Sequence, residues 1–373
     1  METQIKQAVY HFEQLLREQI ARAQNLNAAK KQKDENKVVI GLIDGDGIGP
    51  IIMAEAKKAL EKLLSDEIKA GAIELKGIEG LTIENRLALG QAVPDDVMAE
   101  IKKCDVLLKG PTTTPSGGKM ESANVSLRRA LDLYANVRPV CVPEENIDWT
   151  FFRENTEGEY TLGSRGIEIS DTLTMDFKVT TVEGTRRIAR SAFEFAKKNG
   201  KTHVAIVTKS NIMKKTDGLF SAICHEVAAE YPEIQADEYY IDIMSANLVN
   251  KQIRSNFQVF VLPNLYGDII TDEAAQIQGG VGTAGSANTG TEYAMFEAIH
   301  GSAPRLIAEG LGDYANPESI LTAACMLLRH IGMAEKAEKL TAAIQAARAV
   351  KPVDAAIAGN TCQAFGDEVV KQL

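Results

Sequence analysis

Residues 37–50 read "KVVIGLIDGDGIGP" and run on into "IIMAEAKKALEKLLS". The first part is an apolar run that breaks at closely spaced glycines. The second carries apolar residues at helical spacing. That order predicts a buried strand, a tight loop and a helix, the repeating unit of an α/β protein. The loop lacks the G-x-G-x-x-G spacing of a dinucleotide fingerprint. A plain turn and a ligand loop are therefore both open. The design recurs outward from there, at "CDVLLKGP" (104–111), "HVAIVTKSN" (203–211) and "QVFVLPN" (258–264). In open α/β sheets ligands collect beyond the carboxyl ends of strands, where Lys109, Lys209 and Asn264 are expected. Helical patterns occupy 183–199 and 318–332. The glycine-rich "QGGVGTAGSANTGTEY" (278–293) reads as a hinge or ligand loop.

The chain has 373 residues, enough for two or three domains. Its 45% hydrophobic and 25% charged residues fit a soluble globular protein. A net charge of −10 argues against nucleic acid or an anionic membrane as partner. Anionic small molecules stay open, because a local basic cluster can oppose the overall sign. Cys104, Cys141, Cys224, Cys325 and Cys362 are scattered and odd in number, which predicts free thiols in a reducing compartment. The histidines lack the spacing of a zinc site. No apolar run approaches the ~18 residues of a membrane span, and the N-terminus lacks a signal-peptide core, so a cytoplasmic location is expected. Val9, Phe12, Leu15, Leu16 and Ile20 recur at helical spacing and predict an amphipathic packing or oligomerisation helix. "NAAKKQKDENK" (27–37) follows as a polar linker.

In "NLYGDIITDEAAQ" (264–276), Asp268 and Asp272 stand four residues apart, on one face of a helix. Like charges placed so repel by a few tenths of a kcal/mol. A divalent cation between them would remove the conflict, and Mg²⁺ or Mn²⁺ prefers such oxygen ligands. Two solvated aspartates near a helix N-terminus are the other reading. "ESANVSLRRALDLYANVRPV" (121–140) carries Arg128, Arg129 and Arg138, and "FFRENTEGEY" (151–160) carries Arg153 and ends in Tyr160. These arginines are either solvated surface charges or a clamp for carboxylates or phosphates, which guanidinium pairs bidentately.

Taken with "GDGIGP", "KGPTTTPSGGKM", "TKSNIMKKTDGLF", "FEAIHGSAPR", "YANP" and the terminal "FGDEVV", these motifs cover the chain from about residue 37 onward. In this set and order the chain resembles the β-decarboxylating dehydrogenases, the isocitrate/isopropylmalate dehydrogenase family. The resemblance implies a two-domain α/β fold of that family's own type rather than a Rossmann fold. It implies a large cofactor-binding domain from 36–133 plus 279–373 and a small domain with dimer contacts from 134–278. Residues 1–35, which it does not cover, form an N-terminal helical extension. The implied activity is metal-dependent oxidation of a 2-hydroxy acid by NAD⁺ or NADP⁺ followed by loss of CO₂. For isocitrate this is a step of the tricarboxylic acid cycle. By resemblance Tyr160 and Lys209 are catalytic, and Arg128, Arg138 and Arg153 hold substrate carboxylates. Asp242, Asp268 and Asp272 would bind Mg²⁺ or Mn²⁺. Lys209 and Asp242 would reach the site from the partner subunit of a homodimer. The cofactor would be held by Thr114, Asn211, Glu297, His300, Gly301, Ser302, Ala303, Arg305 and Asn316.

The isocitrate branch of the family carries Ser and Asn before the first clamp arginine, where the isopropylmalate branch has leucines. Ser122 and Asn124 therefore favour isocitrate, since a hydrogen-bonding site rejects an apolar isostere. Glu121 departs from that pattern and matches the isopropylmalate branch. Arg305 stands where NAD⁺-type members have an aspartate and so favours the 2′-phosphate of NADP⁺. Glu309 or Asp313 could take the ribose of NAD⁺ instead, which leaves the choice open. Isopropylmalate, homoisocitrate and tartrate/malate dehydrogenases are the nearest rivals. A non-catalytic regulatory subunit is the rival of another class, but the full Arg/Tyr/Lys/Asp set is present here.

Overall fold

The computed structural model describes residues 2–24, 37–115, 120–163, 165–354 and 359–373. The expected linker lies outside them except for Lys37. In chain order the strands are β1 (Val38–Ile43), β2 (Ile73–Gly77), β3 (Val106–Lys109), β4 (Ala135–Val142), β5 (Ile147–Glu154) and β6 (Ile167–Ser170). They continue with β7 (Leu173–Met175), β8 (His203–Thr208), β9 (Gln235–Tyr240), β10 (Val259–Leu262), β11 (Gly285–Thr289) and β12 (Ala294–Ala298). The chain forms two compact units, and β4 divides its residues between them.

One unit holds β1–β3, β11 and β12 in the order β2-β1-β3-β12-β11. The first four are parallel, and β11 runs antiparallel to β12. β11 corrects the reading of 278–293 as a loop throughout. Its small residues "GSANT" give no apolar signal, yet Ala287 pairs with Phe296 in register. Gly285 is required there because a Cβ would lie 2.6 Å from the backbone nitrogen of Ala323. The helices Gly49–Leu63 and Glu318–His330 bury Ile52, Met53, Leu60, Ile320, Leu321, Leu327 and Leu328. Each such side chain contributes about 1.5–3 kcal/mol on burial.

The other unit holds the N-terminal helix and β5–β10. β5, β10, β8 and β9 form a parallel array in that order. Strand alternation divides its two faces. Val259 and Val261 meet Ile188, Ala192, Phe193 and Ala196 of the helix Val182–Lys198. Phe260 points the other way, stacks on Phe151 at 4.2 Å and meets the edge of Trp149. The Thr181 hydroxyl accepts from Gly184 N at 3.0 Å and caps that helix, worth about 1 kcal/mol. β6 and β7 form an antiparallel hairpin. Against β6 packs the N-terminal helix Glu2–Gln24. It is amphipathic as predicted, but only Leu15 is buried, while Val9, Phe12, Leu16 and Ile20 remain exposed. Among the described residues no helix is long and apolar enough to cross a membrane.

Candidate active site

The aspartates of "NLYGDIITDEAAQ" do lie on a helix, Asn264–Gln278. The neutralising charge for Asp268 comes from far away in sequence. Arg153, the penultimate residue of β5, is 1% exposed, and its Nη1 donates to Asp268 Oδ1 at 2.5 Å. Its Nε and Nη2 donate to Asn264 Oδ1 at 3.0 and 2.7 Å. Gly267 makes this possible, since a Cβ there would lie 2.5 Å from Arg153 Cγ. The Tyr160 hydroxyl donates to Asp268 Oδ2 at 2.6 Å, and the Arg153 guanidinium lies 5.4 Å from the centroid of its ring. Arg153, Tyr160 and Asp268 thus form one cluster, with Asp272 one turn further along the helix. Asn264 is corrected from a ligand-facing residue to a buried one that orients Arg153.

Lys209 follows β8, and its Nζ donates to Asp242 Oδ1 at 2.6 Å. The ammonium holds the Asp242 carboxyl below its ordinary value. Around them, Ile212 is 66% and Ile243 53% exposed, and Asn211 is exposed in the same loop. Asp217, fully buried, accepts from Lys209 N at 2.7 Å and pairs with Lys178 at 2.5 Å. Lys178 also approaches Glu159 at 3.4 Å and the Tyr266 ring at 4.3 Å. Burial opposes its charge, but Asp217 and Glu159 prevail and keep its pKa above the ordinary value. Sequence reasoning missed Asp217 and Lys178; an aspartate leading into the apolar helix "GLFSAI" was the signal for the first. Asp242 is paired with Lys209, and among the described residues no three His, Cys, Asp or Glu side chains gather as a metal site.

In the other unit, Asn124, Arg128, Arg138, Glu297 and His300 line a cavity of about 120 Å³. Glu297, on β12, is 4% exposed. Lys109 Nζ and Arg128 Nη2 both stand 3.0 Å from its carboxylate, and Asn288 donates to it at 2.7 Å. Burial would raise the Glu297 pKa, but the two cations prevail and hold it at about 2. Lys109 is therefore corrected from a residue beyond a strand to a fully buried counter-ion within β3. Arg128 Nε is buried with no hydrogen-bond partner among the described residues, as is His300 Nε2. Burial lowers the pKa of His300, against the pull of the Gly301 carbonyl at 3.0 Å.

Asn124 Oδ1 accepts from the Thr112 hydroxyl at 3.0 Å. Ser122 stands at the start of the helix Ala123–Ala130 and is not among the residues lining the cavity. Glu121 is bonded to Ser126 at 2.6 Å and to Arg129. The "GDGIGP" loop borders a second cavity of about 440 Å³, with Thr82, Thr113, Pro304 and Ile307. Asp46 fixes that loop, its two oxygens accepting from Ile83 N and Thr113 N, each at 2.7 Å. Ser302 Oγ lies 2.7 Å from Thr113 Oγ1, and Ala303 takes the left-handed φ of 45°. Thr114 is exposed on the loop after β3. Arg305, 88% exposed, pairs with Glu309 at 2.7 Å, and Asn316 Oδ1 accepts from Glu318 N at 3.0 Å.

The model of the isocitrate/isopropylmalate dehydrogenase family matches residues 39–369. The NADP isocitrate dehydrogenase of Rickettsia prowazekii is 41% identical over 300 residues, which span 78% of this chain and 59% of that protein. The chain thus matches about three-fifths of that relative's length. A probable NAD isocitrate dehydrogenase subunit alpha, mitochondrial, of Drosophila melanogaster is 36% identical over 356 residues, 93% of this chain and 90% of that one. The crystal structure of isocitrate dehydrogenase from Methylococcus capsulatus superposes with a TM-score of 0.79 at 34% identity, over 90% of this chain and 99% of that one. The chain belongs to the isocitrate/isopropylmalate dehydrogenase family.

Proposed function

We propose that the protein catalyses the oxidative decarboxylation of isocitrate to 2-oxoglutarate and CO₂ with reduction of a nicotinamide cofactor. The observation that carries this reading is the cavity where Asn124, Arg128 and Arg138 converge. Two guanidinium groups and an amide suit a polycarboxylate better than an isopropyl group. The partnerless Nε of Arg128 is a donor awaiting such an anion.

Each residue then has a defined task. Arg128, Arg138 and Arg153 bind carboxylates, and Ser122 and Asn124 receive the third one. Lys209 and its Asp242 partner remove the C2 hydroxyl proton together, the ammonium passing a proton to the carboxylate as it takes the one from the hydroxyl. Tyr160 hands a proton to the carbon that has lost CO₂. The hard-oxygen pair Asp268 and Asp272, with Asp268 39% exposed, fits Mg²⁺ or Mn²⁺. A cation bound there would acidify the C2 hydroxyl and stabilise the charge that decarboxylation leaves. Asp242 would complete this set from a second copy of the chain, with the exposed Ile212 and Ile243 beside it as part of a homodimer interface. His300 Nε2, buried and partnerless, suits a cofactor hydrogen bond. The exposed Arg305 favours the 2′-phosphate of NADP⁺, and its i,i+4 pairing with Glu309, worth about 0.2–0.5 kcal/mol, is weak enough to yield.

The test is a scan of isocitrate, isopropylmalate, homoisocitrate and malate with NAD⁺ and NADP⁺, with and without Mn²⁺, followed by reduced-nicotinamide absorbance. Turnover of isocitrate, dependent on Mn²⁺ and faster with NADP⁺, is expected. A preference for isopropylmalate or malate would overturn the substrate reading, and a preference for NAD⁺ would move the ribose to Glu309 or Asp313.

A further inference from the structure

We infer that the N-terminal helix Glu2–Gln24 braces the segment carrying Tyr160, with Arg22 as a positioning residue. The inference rests on the role proposed above for Tyr160. The helix lies outside residues 39–369, the part that matches the family. It is held peripherally by His11 Nε2 at 3.1 Å from the Arg165 carbonyl, by Phe12 at 5.2 Å from Phe177, and by Glu18 at 2.5 Å from Arg165. Arg22 makes a different kind of contact. Its Nη2 donates at 2.7 Å to Oε1 of Glu157, a side chain only 3% exposed.

Glu157 is three residues before Tyr160 and three after Glu154, which is also buried. The Glu154 carboxylate accepts from Thr156 N, Thr156 Oγ1 and Glu157 N. Glu157 accepts from Thr181 Oγ1 and N at 2.5 and 2.8 Å. Glu157 is buried close to Glu154, and Arg22 brings it a cation from outside the family segment. From Glu157 a continuous set of hydrogen bonds leads onward. Its carbonyl accepts from Asn264 Nδ2 at 3.0 Å, and Asn264 Oδ1 accepts from Arg153. Arg153 then reaches Asp268, which holds the Tyr160 hydroxyl. Without the guanidinium, Glu157 keeps a buried charge lacking one of its partners, and the Glu154–Tyr160 segment relaxes to rehydrate it. Tyr160 would lose its position, whereas Arg128, Arg138 and Asn124 belong to the other unit and stand outside this network.

The chain and its Arg22→Gln, Arg22→Lys and Glu18→Gln variants should be compared for kcat, KM for isocitrate and hydrogen exchange of peptides within 154–163 without substrate. Arg22→Gln should lower kcat by roughly two- to thirty-fold, raise KM by a smaller factor because Arg153 shares the network, and speed exchange in that segment. Arg22→Lys should restore most of kcat, and Glu18→Gln should leave both readouts as in the wild type. Wild-type kcat and exchange in Arg22→Gln would overturn the inference, as would faster exchange throughout the chain, which would mark general destabilisation. If the wild type fails to turn over isocitrate, the functional reading falls, and the exchange comparison alone decides whether Arg22 braces the segment.

Discussion

Replacing Glu297 by Gln should cost about 3–5 kcal/mol of stability at neutral pH, and the loss should shrink in acid. The carboxylate is 4% exposed and faces Lys109, fully buried, and Arg128, each at 3.0 Å. Its folded pKa of about 2 lies below the ordinary 4.5. At about 1.4 kcal/mol per pKa step, that gap corresponds to roughly 3 kcal/mol. An independent route gives a similar figure, since a buried charge stripped of its partner costs about 3–5 kcal/mol, and Gln would leave Lys109 in that state. The folded pKa is the lower one, so the contribution is complete above about pH 4.5 and disappears as pH falls through 2. At pH 3 roughly 2 kcal/mol of it should already be gone. Urea unfolding of wild type and variant at pH 7 and pH 3 provides the assay. A stability difference independent of pH, or one under about 1 kcal/mol at pH 7, would refute the reasoning.

Asp268→Asn keeps one acceptor for Arg153 but loses the charge; it should abolish Mn²⁺-stimulated turnover while the protein still folds, with a lowered melting temperature because buried Arg153 loses its counter-ion, and an unchanged Mn²⁺ titration of activity would contradict this. Ser122→Leu with Asn124→Leu should cut isocitrate turnover heavily, since each lost charge-assisted bond is worth roughly 1.5–3 kcal/mol; kcat/KM near the wild-type value would remove both residues from substrate binding. Burial and the neighbouring Glu157 raise Glu154 to about 7. Its contribution is therefore complete below about pH 4.5 and lost as pH rises through 7. Glu154→Gln should flatten the fall in melting temperature between pH 5 and 8, and an unchanged slope would show that another group titrates there.

The α/β class was legible because β1, β3, β8 and β10 are unbroken apolar runs that end in polar or glycine residues. The helix 182–198 was legible from its periodic apolar face. β11 was not, because its residues are too small to mark a strand and it is defined by pairing with β12. The acid pair 268/272 stood out as a local conflict, but its resolution did not. Arg153 lies 115 residues away, and only the fold brings it to Asp268. Lys109 and Asn264 misled for a related reason. Position beyond a strand suggests ligand contact, yet Lys109 is the counter-ion of Glu297 and Asn264 the support of Arg153. Strand ends can be read from the sequence, whereas buried charge pairing depends on contacts across the whole unit.

The most direct test of Tyr160 as the proton donor lets wild type and Tyr160→Phe act on isocitrate with Mn²⁺ and NADP⁺ in deuterated water, with the product examined by NMR. The wild type should form 2-oxoglutarate carrying one solvent deuterium at C3 in a single configuration, with one reduced nicotinamide per CO₂ released. Tyr160→Phe should still bind isocitrate but turn over about 10²–10⁴-fold more slowly, the usual contribution of a positioned acid. Absence of 2-oxoglutarate from the wild-type reaction, or the same stereospecific label at wild-type rate from the Phe variant, would contradict this reading.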